Sequence, residues 1–374
     1  MIYLDNSATT KVNKEVLEAM LPYLKEEFGN PSSKYYTLAE NAKKAVETAR
    51  QQVATLLCCE SDEVIFTSGA TESNNMILKG VTDYYTSAKS NHVITTTVEH
   101  PSVRETCRYL ESKGFHVTYL DVDKYGRINI DNLEQRIKEI PPILVSIIWG
   151  NNEIGSLNDM KSVSEVCSKH GVFLHTDATQ VVGKINVDLT QYRGINFLSC
   201  SGHKLQGPKG IGISFIRKHP DGYRTKLTPL LHGGGQEFDY RSGTLAVHNI
   251  VGIGKAAELA EKYQIEKAEY LTELENYLID ILYNKLDGNI TINNDNKDKI
   301  PGILSIQLHG INNELFIKKV ANVMALSTGS ACSSTKPSHV LSAIGLGIDR
   351  IRSTIRISLS ADIQKEDLDI FKTL

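Results

Sequence analysis

The stretch 172-VFLHTDATQ-180 decides the fold: a short apolar run ends abruptly in a carboxylate, a hydroxyl and an amide. An apolar run this short, bounded by polar residues, reads as a buried strand. The same pattern recurs along the first two thirds of the chain. Residues 64–67 lead into Ser-Gly-Ala-Thr-Glu, 93–98 (VITTTV) into Glu99-His100, 143–149 (ILVSIIW) into Gly-Asn-Asn-Glu, and 195–200 (INFLSC) into Ser-Gly-His-Lys. A further β-prone run covers 210–216, and helical patterns fill 103–113 and 160–170. Short strands spaced by helices imply an α/β fold with a largely parallel sheet covered on both faces. Ligands of such sheets bind beyond the carboxyl ends of the strands. Five strands ending in His, Asp, Lys, Asn and Thr therefore point to one shared site.

The C-terminal third differs. Residues 251–286 form a long helical pattern, 303–308 and 354–359 read as strands, and 315–323 as a helix. This predicts a smaller α+β domain, with a boundary near residue 255. The expected division is 12–255 for the large domain, and 1–11 with 256–374 for the small one.

Composition bounds the function. The 374 residues are 41% hydrophobic and 23% charged, with a net charge of −3. Neither nucleic acid nor a membrane surface is suggested as a partner. The N-terminus MIYLDNSATT lacks the pattern of a secretory signal, and no stretch approaches the roughly 18 apolar residues of a membrane span. The cysteines at 58, 59, 107, 167, 200 and 332 are scattered without a C-x-x-C pair. The expectation is a cytoplasmic protein with reduced thiols, no disulfide framework and no metal site.

Five positions carry chemistry. The loop Ser68-Gly69-Ala70-Thr71 joins a strand to a helix, and its free N–H groups favour a phosphate. A plain helix cap by Ser68 or Thr71 would look the same. Asp177 ends an apolar strand and must find a cation or several donors, such as a pyridinium N–H or a helix N-terminus. Lys204, in SGHKLQGPKG, can become an imine-forming amine if it loses its proton. Lys209 competes for that role, but Lys204 lies one step beyond the strand end. His100 could stack on an aromatic group and shuttle protons, or be structural. Cys332, in LSTGSACSSTKPS, has the small, polar surroundings of an accessible loop, as a thiol nucleophile requires and as a casual surface cysteine would also have.

Together these segments closely resemble the cysteine desulfurases of the NifS/IscS type. The matches are YLDNSATT (3–10), FGNPSS (28–33), FTSGATESNN (66–75), Glu99-His100, NNEIG (151–155), HTDATQ (175–180), SGHKLQGPKGIG (201–212), HGGGQE (232–237), RSGT (241–244), STGSACSS (327–334) and IRISL (355–359). The resemblance implies a pyridoxal-phosphate (PLP) enzyme of fold type I, aspartate-aminotransferase-like, with a mainly parallel seven-stranded sheet. Lys204 would hold PLP covalently, Asp177 would keep the ring nitrogen protonated, His100 would stack on the ring and Gln180 would bond the ring hydroxyl. Ala70, Thr71, Ser201 and His203 would hold the phosphate, and Thr244 would reach the phosphate of the partner in a homodimer. Asn152 and Arg356 would bind the carboxylate of L-cysteine. Cys332 would take the sulfur as a persulfide and pass it to a protein acceptor.

Three departures from the family pattern bear on the pathway. The stretch from Cys332 to Pro337 is shorter than in the longest-loop members. The chain ends at Leu374 without the C-terminal extension that docks an iron–sulfur scaffold. Trp149-Gly150 replaces the usual residues before NNEIG. They imply a specialised desulfurase serving iron–sulfur cluster assembly, tRNA thiolation or DNA phosphorothioation. The alternatives are a selenocysteine lyase or another PLP-dependent lyase or aminotransferase of the same fold.

Overall fold

The computed structural model describes residues 1–86, 90–329 and 337–373. The chain opens with strand β1 (Ile2–Tyr3) and helices α1 (Lys14–Lys25) and α2 (Thr37–Leu57). Alternation follows: β2 (Val64–Thr67), α3 (Ala70–Tyr85), β3 (His92–Thr96), α4 (Pro101–Ser112), β4 (His116–Leu120), α5 (Ile130–Glu139), β5 (Leu144–Ser146), α6 (Met160–Lys169), β6 (Phe173–Asp177), β7 (Ile195–Ser201) and β8 (Gly212–Ile216). Helix α7 (Val247–Lys285) leads to β9 (Ile290–Ile292), β10 (Ile303–Leu308), α8 (Asn313–Val320), β11 (Met324–Ala325) and β12 (Thr354–Ser358).

The large sheet has seven strands in the order β2-β8-β7-β6-β5-β3-β4. The run from β7 to β4 is parallel, and β8 is antiparallel to both its neighbours. Strands β2, β3, β5 and β8 are buried along their whole length, as a sheet covered on both faces requires. The fold is the α/β arrangement expected. The sequence reading passed over β4, an edge strand with exposed and half-buried positions that weaken its apolar signal.

Beyond it, β12-β10-β9 form an antiparallel sheet, and β1 pairs with β11, so the N-terminus packs on the C-terminal layer. The expected boundary at 255 falls inside α7, which runs unbroken for 39 residues. Its first part, Ile250 to Ala260, belongs to the core beneath the large sheet. Its second part, Leu271 to Leu282, belongs to the core of the C-terminal layer. One rigid element thus changes partners midway. Trp149 is buried in the large core, and the neighbouring Gly150 has no room for a side chain: a Cβ there would sit 2.6 Å from Ile300 and Val181. Among the described residues, no helix is long and apolar enough to cross a membrane.

Candidate active site

The carboxyl ends of the parallel strands open into a cleft of about 900 Å³ between the large sheet and the C-terminal layer. Ala70, Thr71, His100, Asn152, Asp177, Gln180, Ser201, His203, Lys204 and Arg356 all line it. Five of the nine gaps between successive positions span 21 residues or more, and the strand tips bring them together.

At one end stands the N-terminus of α3. Gly69 precedes it with φ +156°, a conformation closed to other residues, and no side chain caps the helix. Gly212 of β8 lets the strand approach that turn, since a Cβ there would meet Gly69 backbone at 2.5 Å. The Ser201 hydroxyl lies beside this turn, 3.7 Å from where a Cβ on Gly69 would sit, and His203 lines the same cleft. The His203 Nδ1 is 3.1 Å from the Thr9 hydroxyl. Burial, with the neighbouring cations Lys204 and Lys209, pulls the His203 pKa to about 4, so its ring is neutral. A helix N-terminus without a side-chain cap, beside a neutral histidine, favours an anion.

Lys204 ends a 3₁₀ turn (Gly202–Lys204) directly after β7. Its amine donates to the carbonyls of Ser7 and Ala8, the latter at 2.6 Å. Thr10 binds the turn further by donating its N–H and its hydroxyl to the His203 carbonyl at 3.0 and 2.9 Å. Lys209, the competing lysine, also lines the cleft but is exposed, whereas Lys204 is half-buried.

Asp177 is 3% exposed at the end of β6. One oxygen accepts the Thr179 N–H at 3.0 Å, and the other accepts from Asn74 Nδ2 at 2.8 Å. Asn74 spends its second hydrogen on the Ser102 hydroxyl oxygen at 2.8 Å. Ser102 therefore donates its own proton to His100 Nδ1, 2.8 Å away, where the Ser102 N–H also points at 3.2 Å. With two donors on Nδ1, the neutral His100 ring carries its proton on Nε2. Burial lowers the His100 pKa against the pull of Asp177, and Lys204 adds to the fall.

Arg356, on β12, is 1% exposed. It donates to the carbonyls of Asn152 and Gly329 at 3.0 and 3.2 Å, and to an Asp5 oxygen at 2.6 Å. Among the described residues its Nε has no partner. A buried charged donor left open is costly, and a ligand carboxylate would complete it. Gln180 donates to the Ser7 carbonyl at 2.9 Å.

Two expected residues stand apart. Thr244 is exposed and does not line this cleft. Cys332 lies outside the described residues, although Gly329 and Pro337 on either side of its segment line the cleft. Sequence reasoning assigned no role to Ser7, Ala8, Asn74 or Glu153. All four lie inside the quoted motifs YLDNSATT, FTSGATESNN and NNEIG, so their signal was present without a function. Glu153 is buried, accepts from the Ser338 hydroxyl, and has its pKa raised by burial.

The donor set fits PLP: an anion site for a phosphate, a buried carboxylate for a ring N–H, an amine for an aldehyde, and an open guanidinium N–H for a substrate carboxylate. Fold and site together define a PLP-dependent enzyme of fold type I.

Comparison with known proteins agrees. The chain belongs to the aminotransferase class-V family, which matches residues 2–371 and whose members depend on pyridoxal phosphate. It is 42% identical over 372 residues to the cysteine desulfurase IscS of Ehrlichia chaffeensis, spanning 98% of this chain and 88% of that protein. A solved NifS-like protein superposes with a TM-score of 0.91 at 35% identity, covering 100% of this chain and 97% of that one. The structure of SspA in complex with cysteine superposes with a TM-score of 0.82 at 35% identity, covering 96% and 99% of the two chains.

Proposed function

We propose that the protein is a cysteine desulfurase that converts L-cysteine to L-alanine and leaves the sulfur on Cys332 as a persulfide. The observation that carries this reading is the convergence of the Lys204 amine, the Asp177 carboxylate, the α3 N-terminus and the open Arg356 Nε on one cleft. The desulfurase names of the curated relatives, and the SspA structure with bound cysteine, support the choice of substrate.

Ala70, Thr71, Ser201 and His203 hold the phosphate, Asp177 the ring N–H, and Gln180 the ring hydroxyl. When bound, PLP supplies an electron sink for charge developing at the substrate α-carbon. Arg356, through Nε–H, and Asn152 orient the substrate carboxylate. Lys204 Nζ takes and returns the proton at the α-carbon, and His100 Nε2–H is the second proton carrier. The Cys332 thiolate attacks the substrate sulfur. The carbon–sulfur bond breaks with its electron pair left on carbon, which is protonated to give alanine, and an S–S bond remains on Cys332. The persulfide then passes to a protein acceptor serving cluster assembly, tRNA thiolation or DNA phosphorothioation.

The working form is a cytoplasmic homodimer, in which Thr244, exposed on its own chain, serves the partner's phosphate site. The chain divides into a cofactor-binding unit (12–255) and a smaller unit (1–11 and 256–374) that carries Cys332.

The test is incubation of the PLP-loaded protein with ³⁵S-labelled cysteine. Wild type is expected to form alanine and to carry label that a thiol reductant removes, and Cys332→Ala to carry none. Full-rate sulfide release by Cys332→Ala would sink the persulfide step and favour a lyase.

A further inference from the structure

Lys184 is a lysine that the mechanism above does not use. It sits in the turn after β6, four residues beyond Gln180. The neighbouring Gly183, at φ +76°, lets this turn press against the lysine-bearing loop: a Cβ there would lie 1.9 Å from the Leu205 side chain. Lys184 and Lys204 line one small cavity of about 80 Å³, together with Ser7 and Gln264.

The hydrogen bonds give this placement a consequence. Lys184 Nζ donates to Gln180 Oε1 at 2.7 Å. Gln180 Nε2 donates to the Ser7 carbonyl at 2.9 Å, and that carbonyl also accepts from Lys204. An amine has no acceptor lone pair to offer when charged and a carbonyl has no donor, so both contacts demand the same orientation of the Gln180 amide. Its oxygen is bound to Lys184. Its nitrogen has one hydrogen on Ser7 and a second left over. With its oxygen turned to Lys184, Gln180 has an N–H left to offer the cleft. Burial, followed by the cations Lys204 and Arg356, lowers the Lys184 pKa to about 7, and the amine donates in either protonation state.

We propose that Lys184 is a positioning residue for the cofactor pocket, holding the Gln180 amide so that it presents a hydrogen-bond donor to the anionic ring oxygen of bound PLP. The proposal rests on the reading of Gln180 as the partner of the PLP ring hydroxyl.

The experiment is equilibrium titration of the apoprotein with PLP for wild type, Lys184→Met, Lys184→Arg, Gln180→Leu, Gln180→Glu and the Lys184→Met/Gln180→Leu double variant, with thermal melting to verify folding. Lys184→Met is expected to bind PLP about tenfold more weakly, on the scale of one buried acceptor left unpaired. Lys184→Arg restores most of the loss. The double variant binds no more weakly than Gln180→Leu alone, because Lys184 acts through Gln180. Gln180→Glu keeps the contact to Lys184 but offers the cleft no N–H, so it weakens binding as much as Gln180→Leu. This arm stands even if Lys184→Met does not fold. Wild-type affinity in Lys184→Met or Gln180→Glu, or losses that multiply in the double variant, would overturn the proposal alone. A wild-type protein that takes up no PLP would overturn the desulfurase reading on which it rests.

Discussion

The two walls of the cleft treat their ionisable groups differently. On the large-sheet side the four ionisable groups proposed to serve the cofactor are already engaged: Asp177 by Asn74 and Thr179, His203 by Thr9, His100 by Ser102, Lys204 by Ser7 and Ala8. On the C-terminal side Arg356 is more deeply buried than His100, His203 or Lys204, yet among the described residues its Nε has no partner. A satisfied network holds its members in one geometry and suits a group that stays bound through many turnovers. An unspent charged donor suits a group that arrives and leaves in each cycle, because the penalty for leaving it open is recovered only on binding. This contrast supports the proposed roles of the sheet side as cofactor seat and of the C-terminal side as substrate clamp.

Removing the amine breaks the sheet-side seat most severely. Lys204→Ala is expected to lose about 10³-fold or more in kcat, the scale of a lost acid–base group, while PLP still binds without a covalent link. Absorption spectra and turnover assays on the loaded protein check this, and turnover above a tenth of wild type would remove Lys204 from the chemistry.

The clamp side should respond in substrate terms. Arg356→Gln is expected to cost about 1.5–3 kcal/mol in kcat/KM, roughly ten- to a hundredfold, with PLP affinity unchanged. A loss of PLP affinity with KM preserved would reverse the assignment of the two walls.

Asn74→Ala tests the network behind the seat. It leaves Asp177 and Ser102 each short of a donor, at a cost of about 1–3 kcal/mol in PLP binding. Because the same change frees Ser102 from its fixed orientation, the pH–rate profile on the acid side should move as well. An unmoved profile with intact affinity would show that His100 is oriented without Asn74.

The smallest effect concerns Glu99, which is fully buried beside the site. One of its oxygens accepts from the Ile148 N–H and the Thr96 hydroxyl, and among the described residues the other has no partner. Burial raises its pKa to about 8. A carboxyl whose folded pKa lies above its unfolded value favours folding below about pH 4.5, and that contribution is lost as pH rises through 8. Glu99→Gln should therefore flatten the decline in stability between pH 5 and 8, measured by denaturant titration. An equal slope in both proteins would mean that Glu99 is already ionised in the folded state.

Much of this molecule was legible before its coordinates. Burial of a strand on both faces leaves a run of apolar residues, and the chemistry at each strand tip follows it directly in the chain. That locality is why 172–180 announced both β6 and Asp177, and why Ile303–Leu308 emerged with its bounds unchanged. Edge strand β4 escaped because its half-exposed positions blur that signature. The division near 255 met a helix, since a continuous amphipathic pattern carries no mark of where its buried face changes partners. Pairings across the chain lay further out of reach. Nothing local to Lys204 names the carbonyls of Ser7 and Ala8, nor does β12 declare that Arg356 keeps one donor open. Residue types and their order along the strands were set by the sequence alone. Which donor meets which acceptor, and which is left for a ligand, was decided only when packing brought segments some 200 to 350 residues apart into hydrogen-bonding distance.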